Sequence, residues 1–329
     1  MMKKFISWLL VLLMLLGAVS IFASCKNNEL YSEGNGELKV VCTIFAPFEF
    51  AREIGGDRVT VTLLQDNGAD LHNYSPTSAT LEALAAADVF IYVGGESDEK
   101  WVPDAIDASG NTDLITIRLI DCVETIHAEL ENDWLDHDHA EHEHEHNEND
   151  GHTHSGDEHI WTSPKNVIKI VEEIRKAFTQ KDSDGALTYE ANTKTYTAKL
   201  NDLDGKFAAA AKNATTHLIV FADRFPFVYL MHDYAIPYKA AFSGCSTEVN
   251  ASFETQIGLI NAVKDKNLKY VVTIEGNNKS LAQTISNETG CQILELNSMQ
   301  SITRSDIEKG ADYIEIMTQN LEIIREALS

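Results

Sequence analysis

The chain has 329 residues, 44% of them hydrophobic, which is enough to bury a full core and excludes a disordered protein; the length favours two lobes over one. Acidic residues outnumber basic ones by 51 to 26, giving a formal net charge of -25. That balance excludes nucleic acid and anionic surfaces as partners and suits a body that faces cations.

In chain order, Met1-Met2-Lys3-Lys4 is a short basic region and Phe5 to Phe22 is a nearly unbroken apolar run, the pattern of a secretory signal. The run is also about long enough to span a bilayer as an uncleaved anchor. Its end, Ile21-Phe22-Ala23-Ser24-Cys25, resembles a bacterial lipobox, which assigns residues 1–24 to a lipoprotein signal peptide and the lipid to Cys25. The folded body then lies outside the cytoplasm, anchored to the cell membrane. Residues 25–37, with NNE, SEG and NGE, read as a flexible polar tether. Four further cysteines, Cys42, Cys122, Cys245 and Cys291, allow three pairings; the simplest expectation is none, with Cys42 and Cys122 as small buried hydrophobes.

Leu38–Phe45 (LKVVCTIF) and Val59–Leu64 (VTVTLL) are β-rich apolar runs, with helical spacing of apolar residues between them from Phe48 to Ile54. Val89–Val93 follows a helical stretch, Ser78–Ala87, and Leu114–Leu119 follows a further segment rich in Ala and Asp. After the loop at 136–159, Ser163-Pro164 predicts the N-cap and first turn of a helix with Val167, Val171, Ile174 and Phe178 on one face. Tyr189, Tyr196, Leu200, Leu203 and Phe207 then hold one apolar stripe over a second, longer helix. From His217 strands are predicted at Leu218–Phe221, Ala235–Phe242, Tyr270–Ile274 and Ile293–Leu296, and helices at Phe253–Lys264, Lys279–Thr289 and Ile307–Leu328. The expected architecture is α/β: an N-terminal lobe (38–183) and a C-terminal lobe (213–329), each a parallel sheet flanked by helices, joined by one long rigid helix (184–212). Ligands of such sheets sit beyond the carboxyl ends of the strands, so two facing lobes make a cleft.

Nine of the 12 histidines lie between His127 and His159, and residues 136–159 read DHDHAEHEHEHNENDGHTHSGDEH. Imidazoles alternating with carboxylates supply nitrogen donors in a negative field, the composition of a metal-collecting loop. His159 differs from the others because Ile160 and Trp161 follow it and can pin it; His72, in the loop after the second strand, stands beside Leu71 and Tyr74. His217 and His232 read as surface or core residues. No HExxH helix is present, and Gly94-Gly95-Glu96 lacks the Lys-Ser/Thr ending of a phosphate loop.

The stretches VVCTIFAPFEFAREIGGDRVTVTLL, GADLHNYSPTSATLEALAAADVFIYVG and DEHIWTSP, in that order, resemble the solute-binding proteins of zinc and manganese ABC importers. The resemblance implies a two-lobed receptor that holds metal between its lobes and hands it to a membrane permease, and it makes His72 and His159 ligands. It also implies that two family ligands are replaced: Ala222 stands at one position and Asn297 at the other. Two imidazoles leave a divalent ion short of the usual four donors, and Cys245 and Glu275, at neighbouring strand ends, are the candidates to complete the set. Asp223 and Glu248 are held in reserve. Cys245 could equally be a small buried residue, and Glu275 could cap the following helix. A thiolate in the set favours zinc over manganese. The expected protein is a monomeric, non-enzymatic zinc receptor. The alternatives are a manganese-specific receptor of the same family, a zinc hydrolase using a metal-bound water with Glu275 or Glu248 as base, and a surface adhesin.

Overall fold

The computed structural model describes residues 30–66, 68, 74–126, 156–244, 246, 251–276 and 278–329. The expected signal peptide, Cys25, His72, Cys245, Glu248 and all of the His-rich loop before Gly156 lie outside those residues. Among the described residues no helix is long and apolar enough to cross a membrane.

The first lobe runs β1 (Tyr31–Gly34), β2 (Leu38–Cys42), α1 (Phe45–Gly55), β3 (Val59–Leu63), α2 (Ser78–Ala86), β4 (Val89–Tyr92), the short α3 (Glu96–Glu99), α4 (Val102–Ser109) and β5 (Ile115–Arg118). Its sheet has the order β1-β3-β2-β4-β5. All neighbours are parallel except β1, which is antiparallel to β3. Helices make each parallel crossover, as that pairing requires. Two expectations are corrected here. Part of the tether is strand: in Tyr31–Gly34 every second residue is half-buried, and the Tyr31 ring packs 5.8 Å from that of Phe48. The apolar run from Leu38 divides, with the strand ending at Cys42 and the helix starting at Phe45. Every residue from Val40 to Phe50 is buried, so hydrophobicity alone carries no period that would mark the junction.

Two antiparallel-packed helices follow, α5 (Pro164–Lys181) and α6 (Ala186–Lys212). Ser163 caps α5, its Oγ accepting from the Asn166 amide at 3.2 Å, and Pro164 occupies the first turn. The predicted stripes are the buried faces: Val167, Val171, Ile174 and Phe178 on α5, and Tyr189, Tyr196, Leu200, Leu203 and Phe207 on α6. At 27 residues α6 spans about 40 Å.

The second lobe runs β6 (Ile219–Phe225), α7 (Val228–Asp233), β7 (Tyr238–Ser243), α8 (Phe253–Asp265), β8 (Tyr270–Ile274), α9 (Ser280–Thr289), β9 (Gln292–Leu296), α10 (Arg304–Glu308) and α11 (Tyr313–Ala327). Its sheet, β7-β6-β8-β9, is parallel throughout. β6 is longer than expected and carries a bulge between Phe221 and Arg224. β7 starts only at Tyr238, after Pro237, which offers no amide to a ladder. The predicted helix from Ile307 to Leu328 is two helices. Gly310, at φ 94°, ends the first, and Asp312 caps the second by accepting from the Glu315 amide at 2.8 Å.

Side-chain alternation along the strands decides which core each residue joins. Val40 and Cys42 face a central core that is continuous from the first sheet through α1, α5 and α6 to β6, β8 and α11, whereas Val41 faces an outer cluster with Leu84, Phe90 and Trp101. A matching outer cluster under α8 and α9 covers the second sheet. The long helix touches α5, α1 and α11, so both lobes are packed on it. Among the described residues Cys42, Cys122 and Cys291 are free thiols; Cys42 is fully buried and Cys122 half-buried.

Candidate metal site

Residues 157–163 form the best-held segment near the cleft, and every one of them is buried. Asp157 Oδ1 accepts both from the His159 amide at 2.8 Å and from His159 Nδ1 at 2.9 Å. Its backbone carbonyl accepts from Tyr229 Oη at 2.6 Å. Glu158 Oε1 accepts from Ser97 Oγ at 2.7 Å. It also lies against Gly95, where a Cβ would meet Glu158 Oε2 at 2.0 Å. The His159 carbonyl accepts from Thr162 Oγ1 at 2.8 Å, Trp161 Nε1 donates to the Ser298 carbonyl at 2.9 Å, and Ser163 Oγ bonds to Asp233. The segment is thus tied to both lobes at once.

That setting fixes the His159 imidazole. A carboxylate can only accept, so the Nδ1 atom facing Asp157 carries the hydrogen and Nε2 keeps the lone pair, the tautomer and orientation used by metal-bound histidines. One side of the ring is closed by Gly244: a Cβ there would stand 2.8 Å from His159 Cε1 and Nδ1. Gly244 directly precedes Cys245 in the chain. The Trp161 ring lies 5.3 Å from the imidazole.

The strand ends enclose a cleft of about 260 Å³ lined by Gly68, Arg224, Glu275, Gly276, Ser298 and Ser301 among others. Glu275 follows β8 and does not cap α9. Its Oε1 accepts from Ser298 Oγ at 2.7 Å and Ser301 Oγ at 3.3 Å, and Oε2 accepts from the Ser298 amide at 2.8 Å. Burial pushes its carboxyl above the ordinary carboxylate range, and the bonds from Ser298 pull the other way. The loop that carries His72 is latched to the second lobe at its root. Asp66 Oδ2 accepts from Arg304 Nε at 2.8 Å and from Nη2 at 2.6 Å, and the Asp66 carbonyl accepts from the Arg304 amide at 2.6 Å.

Of the four expected ligands, His159 and Glu275 are among the described residues and His72 and Cys245 are not. Asp223, held in reserve, ties strands together: its Oδ2 accepts from Thr273 Oγ1 at 2.6 Å and the Ile274 amide at 3.3 Å. Ala222 is buried in the outer core of the second sheet, and Asn297 is held by Asn320, which receives the Asn297 amide at 2.9 Å and donates to its carbonyl at 2.8 Å. Sequence reasoning missed Asp157, although its spacing of two from His159 was visible, and it missed Gly244, Ser298 and the Asp66–Arg304 latch, for which no local signal exists.

Two parallel-sheet lobes packed on one long helix, with polar groups gathered at facing strand ends, define a cleft-type binding protein. The chain belongs to the family described as zinc-uptake complex component A, periplasmic (ZnuA), whose model matches residues 40–327. It is 30% identical over 311 residues to the high-affinity zinc uptake system protein ZnuA of Bacillus subtilis (strain 168), covering 94% of each chain. It is 32% identical over 303 residues to the zinc-binding lipoprotein AdcA of Streptococcus pneumoniae (strain ATCC BAA-255 / R6), covering 92% of this chain but only 58% of that relative's length. Among solved structures, the metal-dependent lipoprotein YcdH of Bacillus subtilis superposes with a TM-score of 0.73 at 26% identity over 89% of this chain and 100% of that one. Zn(II)-bound AdcA from Streptococcus pneumoniae superposes at 0.70 with 29% identity, over 89% of this chain and 58% of that one.

Proposed function

We propose that this protein captures Zn²⁺ outside the cytoplasm and delivers it to the permease of an ABC importer, held to the membrane by a lipid on Cys25. The observation that carries the reading is the buried His159, whose Nδ1 is committed to Asp157 so that Nε2 is left as the donor. Relatives named as zinc-binding lipoprotein and zinc uptake protein support the choice of metal. The ligand set is His72, His159, Cys245 and Glu275. Gly244 against the His159 ring supports Cys245 as a neighbour, and the bonds from Ser298 to Glu275 are those of an oriented carboxylate ligand. Mixed N, S and O donors suit zinc, and a thiolate disfavours manganese. Capture and release need no chemical turnover: opening the cleft would separate donors carried on different lobes, which a permease achieves by preferring the open arrangement.

The test is zinc competition against a chromogenic chelator, using the mature chain, a variant lacking residues 136–155, and the single variants His72→Ala, His159→Ala and Cys245→Ala. One tight site per chain should survive the deletion, and each point variant should weaken it by roughly 100-fold or more, as expected for loss of a direct ligand when outer-shell losses already cost about 10- to 100-fold. Unchanged affinity in His159→Ala sinks the assignment.

A further inference from the structure

Away from the strand-end loops, three carboxylates converge where the lobes meet the long helix: Glu49 and Glu53 on α1, and Asp312 at the start of α11. One oxygen from each lies within 4.8 Å of the others. That is the separation a single cation reaches when its oxygen ligands stand about 2.4 Å away. Acidic clusters on protein surfaces are common and mean little by themselves. This one differs because its floor is buried. The Glu49 side chain is 0% exposed, its Oε2 lies 2.6 Å from Arg52 Nη2, and its Oε1 has no hydrogen-bond partner. Tyr196 Oη, on α6, is also buried without a partner, and its phenol is held above its ordinary pKa by burial first and then by the charges of Glu49, Glu53 and Asp312. Buried oxygens left without a partner are costly unless something occupies the space beside them. Glu53 and Asp312 are half-exposed and form its mouth, and Lys199 Nζ reaches Glu53 at 3.4 Å from a largely solvated position from which it can swing away.

The geometry points to a second cation site, separate from the zinc cleft, in which Glu49, Glu53 and Asp312 take a hard divalent ion of the Ca²⁺ type. All three donors are oxygen, which selects such ions over zinc. Asp312 retains its capping bond through Oδ1, leaving Oδ2 for the ion. An ion there ties the first lobe's α1 to the second lobe's α11 beside α6, bracing the helix that joins them. The charged and titratable groups facing Glu49 are Arg52 and Glu53 from α1, Tyr196 from α6 and Asp312 from α11.

The experiment is Ca²⁺ calorimetry on the zinc-saturated mature chain, with tyrosine-sensitised Tb³⁺ luminescence as a second reading. Asp312→Asn, which keeps a capping side chain, and Glu53→Gln are the variants. One saturable Ca²⁺ site should appear, weakened roughly tenfold or more in each variant, with Tb³⁺ emission falling in parallel and zinc affinity unchanged. No saturable Ca²⁺ binding would mean that water fills the pocket, and equal binding in wild type and both variants would place the ion elsewhere on the acidic chain. Either result overturns the proposal and leaves the zinc reading untouched.

Discussion

Replacing Asp157 with Asn tests the logic of the candidate metal site most directly, because Asp157 would act on the metal only through His159. Its Oδ1 receives the imidazole at 2.9 Å and the His159 amide at 2.8 Å, and the two side chains are 3% and 0% exposed, so solvent cannot substitute for the carboxylate. An Asn in the same place is neutral and can turn its amide group toward Nδ1, which would favour the tautomer with the hydrogen on Nε2, where the metal should bind. Outer partners of this kind are worth about 10- to 100-fold in metal affinity, or roughly 1.4 to 2.8 kcal/mol. The assay is chelator competition for zinc at fixed pH, with nitrogen NMR of the apo imidazole as the reading that a merely structural residue would not move. Wild-type apo protein should show the hydrogen on Nδ1 of His159, and the Asn variant should lose that preference together with its zinc affinity. Wild-type affinity in Asp157→Asn, or an Nε2–H tautomer in the wild type, would refute the reasoning.

Gly244→Ala should weaken zinc by displacing the His159 ring while leaving the fold intact, since the added Cβ would stand 2.8 Å from the ring and 3.0 Å from the Phe225 carbonyl; circular dichroism and zinc competition together check it. For Glu49, the folded-state carboxyl titrates near 8 against an ordinary 4.5, so the folded state binds more protons between those values and stability is lost as pH rises through that window. Relative to wild type, Glu49→Gln should therefore gain stability progressively as pH rises from about 4.5 toward 8. Urea titrations in EDTA measure this, and parallel stability profiles would contradict it.

The helical stripes and the strand runs were legible in the sequence because burial on one face imposes a period of 3.6 or a continuous apolar run. Val167 to Phe178 and Tyr189 to Phe207 are the buried faces they were expected to be, and Ser163-Pro164 starts its helix for a local reason, a side chain capping its own amides. The errors fell where period carries no information. Nothing in the uniformly buried 40–50 marks the strand-to-helix junction, polar Tyr31–Gly34 becomes an edge strand only because β3 offers a partner, and the break at Lys309–Asp312 depends on one glycine and one cap.

The sequence by itself determined the metal-seeking chemistry: the dense imidazoles, His159 followed by an apolar pair, and the order of motifs that mark the family. Only the tertiary structure decided what His159 is. Asp157 sets its tautomer, Gly244 closes its face from 85 residues away, and Trp161 carries its segment to Ser298 in the other lobe. Tertiary packing alone likewise brought Glu49 and Asp312 together, because α1 and α11, both packed on the long helix, meet there with the Phe50 and Tyr313 rings 5.1 Å apart. Local periodicity is written in neighbouring residues, whereas the orientation of a ligand and the company of a buried charge are set by residues that become neighbours only when the chain folds.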